Sequence, residues 1–527
     1  MRLTMLDCLI KNGFIIHGDD SAPVKTNIGI QGDKIVYIGD EIVDAGNVVD
    51  ATGLIVSPGF IDTHAHSEFT ILADGKAEGK LSQGITTEIN GNCGLSAAPL
   101  YGDAFEHREA DLIELGIKEK WSTFGEYFSI LQNKGIAINF TTLCGHGNVR
   151  ASVIGYMNTV PDRNDFLKMK NLLSDALKDG ARGLSTGLIY PPGVYSNTEE
   201  LIELSKVISS ESRDGIYTSH MRSEGDGLIE AIEEVIRIGR EAGVNVHISH
   251  IKTAGEQNWQ KIDKAIEVIK NARSSGVRLT CDRYPYIASG TDLDSILPSW
   301  AYEGGVGEEL KRLKDPAIRK KIKADISSNS DDYWKGIYVS YVTKSENKWM
   351  EGENIFDIAL KAGKNPVDTV LDILIDEKAR AGAIFFSMNE NNLRRFLSLP
   401  YVMIGSDSSA RCFSGITCTG SPHPRGFGSF PRFIGKYVRD EKFMDLSKAI
   451  NKITLLPALT FGLEKRGLIK EGYYADITVF DHEKIIDTAT FKEPYRKAEG
   501  IAYVFVNGTL AFKEGEFTGS LSGRVLR

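Results

Sequence analysis

Apolar residues recur along this chain with two different periods, and the change from one to the other marks out its parts. Near the start, Leu9–Ile16 and Asn27–Gly39 alternate apolar and polar positions, with Gln31-Gly-Asp-Lys as a hairpin signal between the halves of the second run. The far end repeats the style in Ala475–Phe480 and Ile501–Gly515, where Asn507-Gly marks a second hairpin. The long middle instead alternates strand-like runs with helical periodicity, as in Asn197–Glu211 and Gly227–Ala242. That alternation predicts parallel βαβ units. The candidate strands are Gly59–His66, Thr86–Asn92, Ala137–Gly145, Ala181–Thr186, Ile216–His220, Val244–His250, Arg278–Tyr284 and Val402–Asp407. Eight parallel strands close a (β/α)8 barrel. One further candidate, Ala383–Met388, spoils the count.

The predicted fold is therefore α/β, a TIM-like barrel over residues 58–467 with a small β-sandwich built from residues 1–57 and 468–527. The Lys- and Glu-rich span from about 290 to 380 is longer than one βα unit and is read as a helical insertion.

Ligand-type side chains fall at the C-terminal ends of these strands, the end where barrel enzymes carry their chemistry. His64 and His66 share one face of a strand, because strand side chains alternate with period two. Cys93, His220, His250 and Asp407 end four other strands. By parity Val246, Ile248 and His250 share the inward face, which turns His247 toward the helices in a structural role. His17, His107 and His482 lie in the terminal domain or on polar helical segments, and His146 is placed at the mouth without a metal role. Thiolate and imidazole together suit Zn²⁺. An isolated His-x-His pair would be no more than two loop histidines, and a lone Cys93 no more than core packing. The convergence of six such residues on five strand ends outweighs both readings.

Composition narrows the function further. The 527 residues are 42% hydrophobic and 25% charged, as in a globular protein. A net charge of −9 and a pI near 5.7 argue against nucleic acid as a partner. The six cysteines are sparse and unevenly spaced, which speaks against a disulfide framework and for a reducing, cytoplasmic setting. No signal segment and no run of about 18 apolar residues is visible, so no membrane association is expected.

The motifs have a family resemblance that runs nearly end to end. Pro58-Gly-Phe-Ile-Asp-Thr-His-Ala-His resembles the amidohydrolase superfamily at large. Ser82-Gln-Gly-Ile-Thr-Thr with Gly91-Asn-Cys-Gly, Gly183-Leu-Ser-Thr-Gly-Leu-Ile-Tyr-Pro-Pro-Gly and Ser219-His-Met-Arg-Ser-Glu resemble its D-aminoacylases, the N-acyl-D-amino-acid deacylases. So do Ser249-His-Ile-Lys, Asp282-Arg-Tyr-Pro-Tyr, Ile404-Gly-Ser-Asp, His423-Pro-Arg, Val504-Phe-Val-Asn-Gly and Gly523-Arg-Val-Leu-Arg. The resemblance implies a tight zinc site at Cys93, His220 and His250, and a second, weaker one at His64, His66 and Asp407. Many superfamily members bridge two metals with a carboxylated lysine on strand 4. Here Ala181–Leu188 holds no lysine, and Cys93 takes that position.

The implied activity is hydrolysis of the amide bond of small N-acyl-D-amino acids. Zinc polarises the carbonyl and makes hydroxide available near neutral pH, and Asp407 carries the proton to the leaving nitrogen. Arg425, Lys252, Tyr190 and Tyr284 are expected to bind the substrate, Arg425 offering a fork for its carboxylate. Two departures from the family pattern are the long Ser408–Ser421 segment, with Cys412 and Cys418, and the loop at Ser289-Gly-Thr-Asp, which leaves side-chain preference open. The alternatives are a cyclic-amide hydrolase of the hydantoinase or dihydropyrimidinase kind, against which the missing lysine and present Cys93 speak, and a non-catalytic barrel scaffold, which predicts eroded ligands.

Overall fold

The computed structural model describes residues 5–212, 214–326 and 330–527. The N-terminal strands are β1 (Leu6–Ile15), β2 (Val24–Gln31), β3 (Lys34–Gly39), β4 (Ala45–Asp50) and β5 (Ile55–Pro58). The middle supplies β6 (Phe60–Asp62), β7 (Ile85–Asn90), β8 (Asn139–Thr142), β9 (Cys144–Gly145), β10 (Gly183–Gly187), β11 (Ile216–His220), β12 (Asn245–Ile248) and β13 (Leu279–Arg283). There follow β14 (Ala288–Asp292), β15 (Ile337–Tyr341), β16 (Gly382–Phe386) and β17 (Val402–Ile404). The C-terminal strands are β18 (Ile477–Phe480), β19 (Ile501–Val506), β20 (Thr509–Lys513) and β21 (Glu516–Phe517).

The parallel strands of the middle lie in two arcs. One has the order β17-β13-β12-β11-β10-β9 and the other β6-β7-β8. They meet at two seams, neither of which is a regular ladder. At the first, β8 and β9 are consecutive pieces of one run, parted at Leu143, whose amide donates to Asn90 O at 2.9 Å. At the second, β6 and β17 touch through the isolated Ala65–Ser408 bridge and the Asp407 amide, which donates to His64 O at 2.7 Å. A fully buried ammonium reinforces this seam. Lys80 Nζ lies 2.8 Å from Asp62 Oδ2, Glu88 Oε1 and Ser406 Oγ. Ile61, Ile89, Leu143, Ile216 and Met403 pack with Ala458, Phe461 and Leu463 to fill the space between the arcs.

Helices cover the outside for the reason their sequences suggest. In Leu228–Ala242 the buried positions Leu228, Ala231, Ile232, Val235, Ile236, Ile238, Gly239 and Ala242 fall on one side of the helix. The helix ends at Gly243, whose φ of +69° favours glycine.

Two expectations change. Residue span 290–380 is not purely helical: β14 and β15 pair antiparallel with β16 around a separate apolar core. The surplus candidate Ala383–Met388 is largely β16, so it belongs to this sheet and leaves the parallel set. At the termini, the β2–β3 and β19–β20 hairpins form as read. The β5–β18 pairing then joins both ends of the chain into one nine-stranded sheet, β21-β20-β19-β18-β5-β1-β2-β3 with β4 beside β1. Ile10, Ile28, Ile30, Val56, Ile477, Val479 and Phe505 share its core. All six cysteines are free, Cys412 and Cys418 among them. No helix among the described residues is long and apolar enough to cross a membrane.

Candidate active site

Six side chains converge where the parallel strands end. His64 Nε2 lies 3.3 Å from Cys93 Sγ and 3.6 Å from Asp407 Oδ1, and His66 Nε2 is 3.2 Å from the same carboxylate oxygen. His250 Nε2 is 3.4 Å from Cys93 Sγ, and the His220 and His250 rings stand edge to face with centroids 4.4 Å apart. One ligand atom from each of His64, Cys93, His250 and Asp407 falls within 4.8 Å of all the others.

The backbone bends to bring them there. Cys93 (φ +54°), His250 (φ +34°) and Asp407 (φ +49°) all adopt the left-handed conformation that side chains other than glycine avoid. Such residues cost on the order of 1–3 kcal/mol each and persist where the surroundings hold them. Gly187 makes room for the Cys93 turn: a Cβ there would lie 2.1 Å from Cys93 O.

This turning corrects the parity argument for β12. Val246 packs against Gly239 of the covering helix, and Ile248 joins the same outer core. His247 is therefore the inward residue. It is fully buried against Phe461, with Nε2 2.7 Å from Asp282 Oδ2 and Nδ1 2.8 Å from Thr280 Oγ1. His250 reaches the site because the strand stops at Ile248 and the chain reverses its hand. For β11 and β17 the parity holds, since Ile216 and Met403 face inward beneath His220 and Asp407.

Asp282 and Glu224 are the site residues that pattern reading missed as participants. The Asp282 carboxylate accepts from the His250 amide at 2.8 Å and sits 3.1 Å from His64 Nδ1, so it fixes both rings. Burial pushes its pKa up, but His64 and His247 hold it well below the usual carboxylate range. Glu224 Oε1 is 2.9 Å from His250 Nδ1 and also receives Lys252 Nζ. The signal for Asp282 was its place on β13, two residues before the expected substrate residue Tyr284 just past the strand's end. Glu224 follows His220 in a loop and carries no periodic signal.

Electrostatics favour a cation. Burial raises the Cys93 thiol, yet His64 and His250 hold it well below the ordinary thiol value, as a thiolate. Neither ring nitrogen of buried His220 has a hydrogen-bond partner. A buried imidazole with unused lone-pair and donor positions beside a thiolate fits a metal ligand set.

The expected substrate residues surround this cluster. Tyr190 stacks edgewise on His220 at 5.0 Å and its hydroxyl shares a 2.9 Å hydrogen bond with Thr291 Oγ1. Arg425 Nη1 lies 2.9 Å from Asp407 Oδ2, and Nη2 donates to Gly290 O at 3.1 Å. Its Nε has no acceptor, and the buried hydroxyl of Tyr284 is also unpartnered. Lys252 is 3% exposed and engaged with Glu224 and His250, so it is less open than expected. His146 is not at the mouth: it is fully buried, with Nε2 2.9 Å from Glu200 Oε1. The β10 run Gly183–Gly187 places no lysine at the site.

Comparison with known proteins agrees with this geometry. A model of the amidohydrolase family matches residues 47–512. A D-aminoacylase from Alcaligenes xylosoxydans xylosoxydans is 34% identical over 521 residues, covering 99% of this chain and 97% of that protein. The crystal structure of N-acyl-D-glutamate deacylase from Bordetella bronchiseptica, complexed with zinc and a phosphonate mimic of the tetrahedral intermediate, superposes with a TM-score of 0.85 at 34% identity, covering 99% of this chain and 100% of that one. A D-aminoacylase structure described in terms of a binuclear metal center, with one-metal activation and second-metal attenuation, gives a TM-score of 0.83 at 33% identity over 99% of both chains. With its cysteine-centred cluster and likeness along almost its whole length, the chain belongs to the amidohydrolase family, in the D-aminoacylase branch.

Proposed function

We propose that this chain is a zinc-dependent amidohydrolase that cleaves N-acyl-D-amino acids into a carboxylate and a free D-amino acid. The observation that carries the reading is the convergence of Cys93, His64, His250 and Asp407 at the strand ends, beside His220, which groups with Glu224 and His250. Cys93, His220 and His250 would hold the tight zinc, with His64, His66 and Asp407 forming the weaker site. When bound, zinc supplies Lewis acidity to the amide carbonyl and to water.

The chain's own groups do the rest. Asp407 accepts a proton and delivers it to the leaving nitrogen, which departs only when protonated. Arg425 Nε and the Tyr284 hydroxyl are buried donors without acceptors, and such groups await a partner. A substrate α-carboxylate is that partner, with Tyr190 closing the opposite wall. Holding carbonyl and carboxylate fixes two points, so only one configuration sends its side chain into the remaining space. That this configuration is D rests on the relatives' named activities. The absence of a lysine from β10 disfavours the cyclic-amide alternative.

The same proposal takes the two parallel arcs as one closed (β/α)8 barrel over residues 58–467, carrying the insertion at about 290–380. Residues 1–57 and 468–527 are taken as a discontinuous β-sandwich, their sheet curled around its shared core. The barrel assignment is supported by the bridge and hydrogen bonds at both seams.

The deciding experiment is a steady-state assay on paired D and L N-acetyl amino acids with metal analysis. The D forms should turn over, the L forms should be largely inert, and zinc should be bound. Equal kcat/KM for the two series, or an amidated substrate cleaved as well as its free acid, would overturn the proposal.

A further inference from the structure

The two ring nitrogens of His250 face different company. Nε2 lies 3.4 Å from Cys93 Sγ, on the side of the proposed zinc. Nδ1 meets two groups of opposite kind: Glu224 Oε1 stands 2.9 Å from it, and Lys252 Nζ stands 2.8 Å from it. The same Glu224 oxygen also accepts from Lys252 Nζ, so ring, carboxylate and ammonium close a triangle. The other carboxylate oxygen, Oε2, is 3.9 Å from His220 Nε2, so one side chain borders two of the three residues assigned to the tight zinc. The triangle is largely shut off from water: the Glu224 side chain is 14% exposed, and those of His250 and Lys252 are 3% or less.

The two partners of Nδ1 make incompatible demands. A neutral imidazole carries one N–H and one lone pair, and the partner of one nitrogen sets the state of the other. An ionised carboxylate only accepts. Glu224 therefore calls for the proton on Nδ1, which leaves the Nε2 lone pair free for a metal. An ammonium only donates. Lys252 therefore calls for the lone pair on Nδ1, which puts the proton on Nε2 and closes that nitrogen to a metal. At His64 the corresponding place beside Nδ1 is held by the Asp282 carboxylate, 3.1 Å away.

We propose that Glu224 is a positioning residue for the tight zinc, holding His250 in the tautomer whose Nε2 can ligate, against the opposite pull of Lys252. Glu224 acts through His250 and touches neither the metal nor the substrate. The carboxylate and the ammonium bear on the same ring in opposite senses, so removing them should have unequal effects on zinc affinity. The inference rests on the zinc assignment of the proposed function.

The test is the zinc dissociation constant of the full-length protein, measured by competition with a chromophoric chelator, with circular dichroism to follow folding. Glu224→Gln should bind zinc about 10- to 100-fold more weakly than wild type, the usual effect of losing such a partner of a ligating histidine. Lys252→Met should bind zinc at least as tightly as wild type, and it decides the matter alone should Glu224→Gln fail to fold. Zinc X-ray absorption should show the same sulfur-containing ligand shell in wild type and Glu224→Gln. Unchanged affinity in Glu224→Gln, weakened affinity in Lys252→Met, or an oxygen ligand lost from the Glu224→Gln shell would overturn the inference while leaving the proposed function intact. A wild type that binds no zinc would remove both.

Discussion

Arg425 Nη1 stands 2.9 Å from Asp407 Oδ2, so the residue expected to hold the substrate also holds the expected proton carrier. The two roles are linked. A substrate carboxylate that engages the idle Nε draws on the same guanidinium that orients Asp407. Arg425→Ala should therefore raise KM and lower kcat together, with kcat/KM falling by about 10- to 100-fold, as for a lost charge-assisted pair of roughly 1.5–3 kcal/mol. Discrimination against L substrates should weaken in the same assay. A change confined to KM would mean that Asp407 does not depend on Arg425.

Cys93→Ala should lose most bound zinc and activity while keeping its circular dichroism. The apolar filling of Ile61, Ile89, Leu143, Ile216 and Met403 does not include the thiolate. Metal content by atomic absorption is the readout, and full zinc occupancy in the variant would remove Cys93 from the ligand set.

Asp407→Asn should keep the tight zinc and lose about 10²–10⁴-fold in kcat, the usual effect of removing a positioned proton carrier. Turnover within a few-fold of wild type would assign the proton transfer elsewhere.

Lys80→Met should unfold at lower denaturant, with a loss of roughly 3–5 kcal/mol, because Asp62 and Glu88 would be left buried without their cation. Urea titration measures it. A near-neutral effect would show that the seam between β6 and β17 holds without the ammonium.

Lys452 supplies a pH prediction. It is 4% exposed on the helix Leu446–Ile453, its ammonium donates to Leu399 O, and burial pulls its pKa down to about 7, with Cys281 opposing. Between about pH 7 and the unfolded value of 10.5, the unfolded chain holds the proton that the folded chain has released. Stability from this group therefore rises with pH through that window, and its cost is largest below pH 7. Lys452→Met should be more stable than wild type at pH 6.5, by on the order of 1–4 kcal/mol, and the gap should close toward pH 10. Parallel urea titrations at the two pH values would reveal a constant gap if the idea were wrong.

Much of the architecture was legible because it rests on local periodicity. Ile216–His220 was read to the residue, and the hairpins at Gln31–Lys34 and Asn507–Gly508 follow from turn chemistry. The cluster itself was legible because His64, Cys93, His220, His250 and Asp407 each follow or end a strand. What could not be read was geometry set beyond the strand. The left-handed turn at His250 moves that side chain to the other face and so exchanges the roles of His247 and Val246. Asp282, Glu224 and Lys80 act through partners at irregular separations, from Glu88 close to Lys80 in the chain to Ser406 hundreds of residues beyond it, and no spacing rule announces such contacts. The nine-stranded terminal sheet depends on β5 meeting β18, a pairing across more than 400 positions that alternation alone does not specify.

That pairing has a consequence for synthesis. Strand β5 leads directly into β6 and the site residues His64 and His66, but one of its two sheet neighbours, β18, begins at Ile477. Phe140, on the third strand of the parallel set, likewise gives its amide to Arg524 O and accepts from Leu526. A ribosome releasing this chain from the N-terminus thus leaves one edge of β5 and of β8 uncovered long after their other neighbours, β1 and β7, are made. The early strands must wait, sheltered or chaperoned, through most of translation. Engineered C-terminal fusions that hinder residues 501–526 should then lower yield before they lower activity.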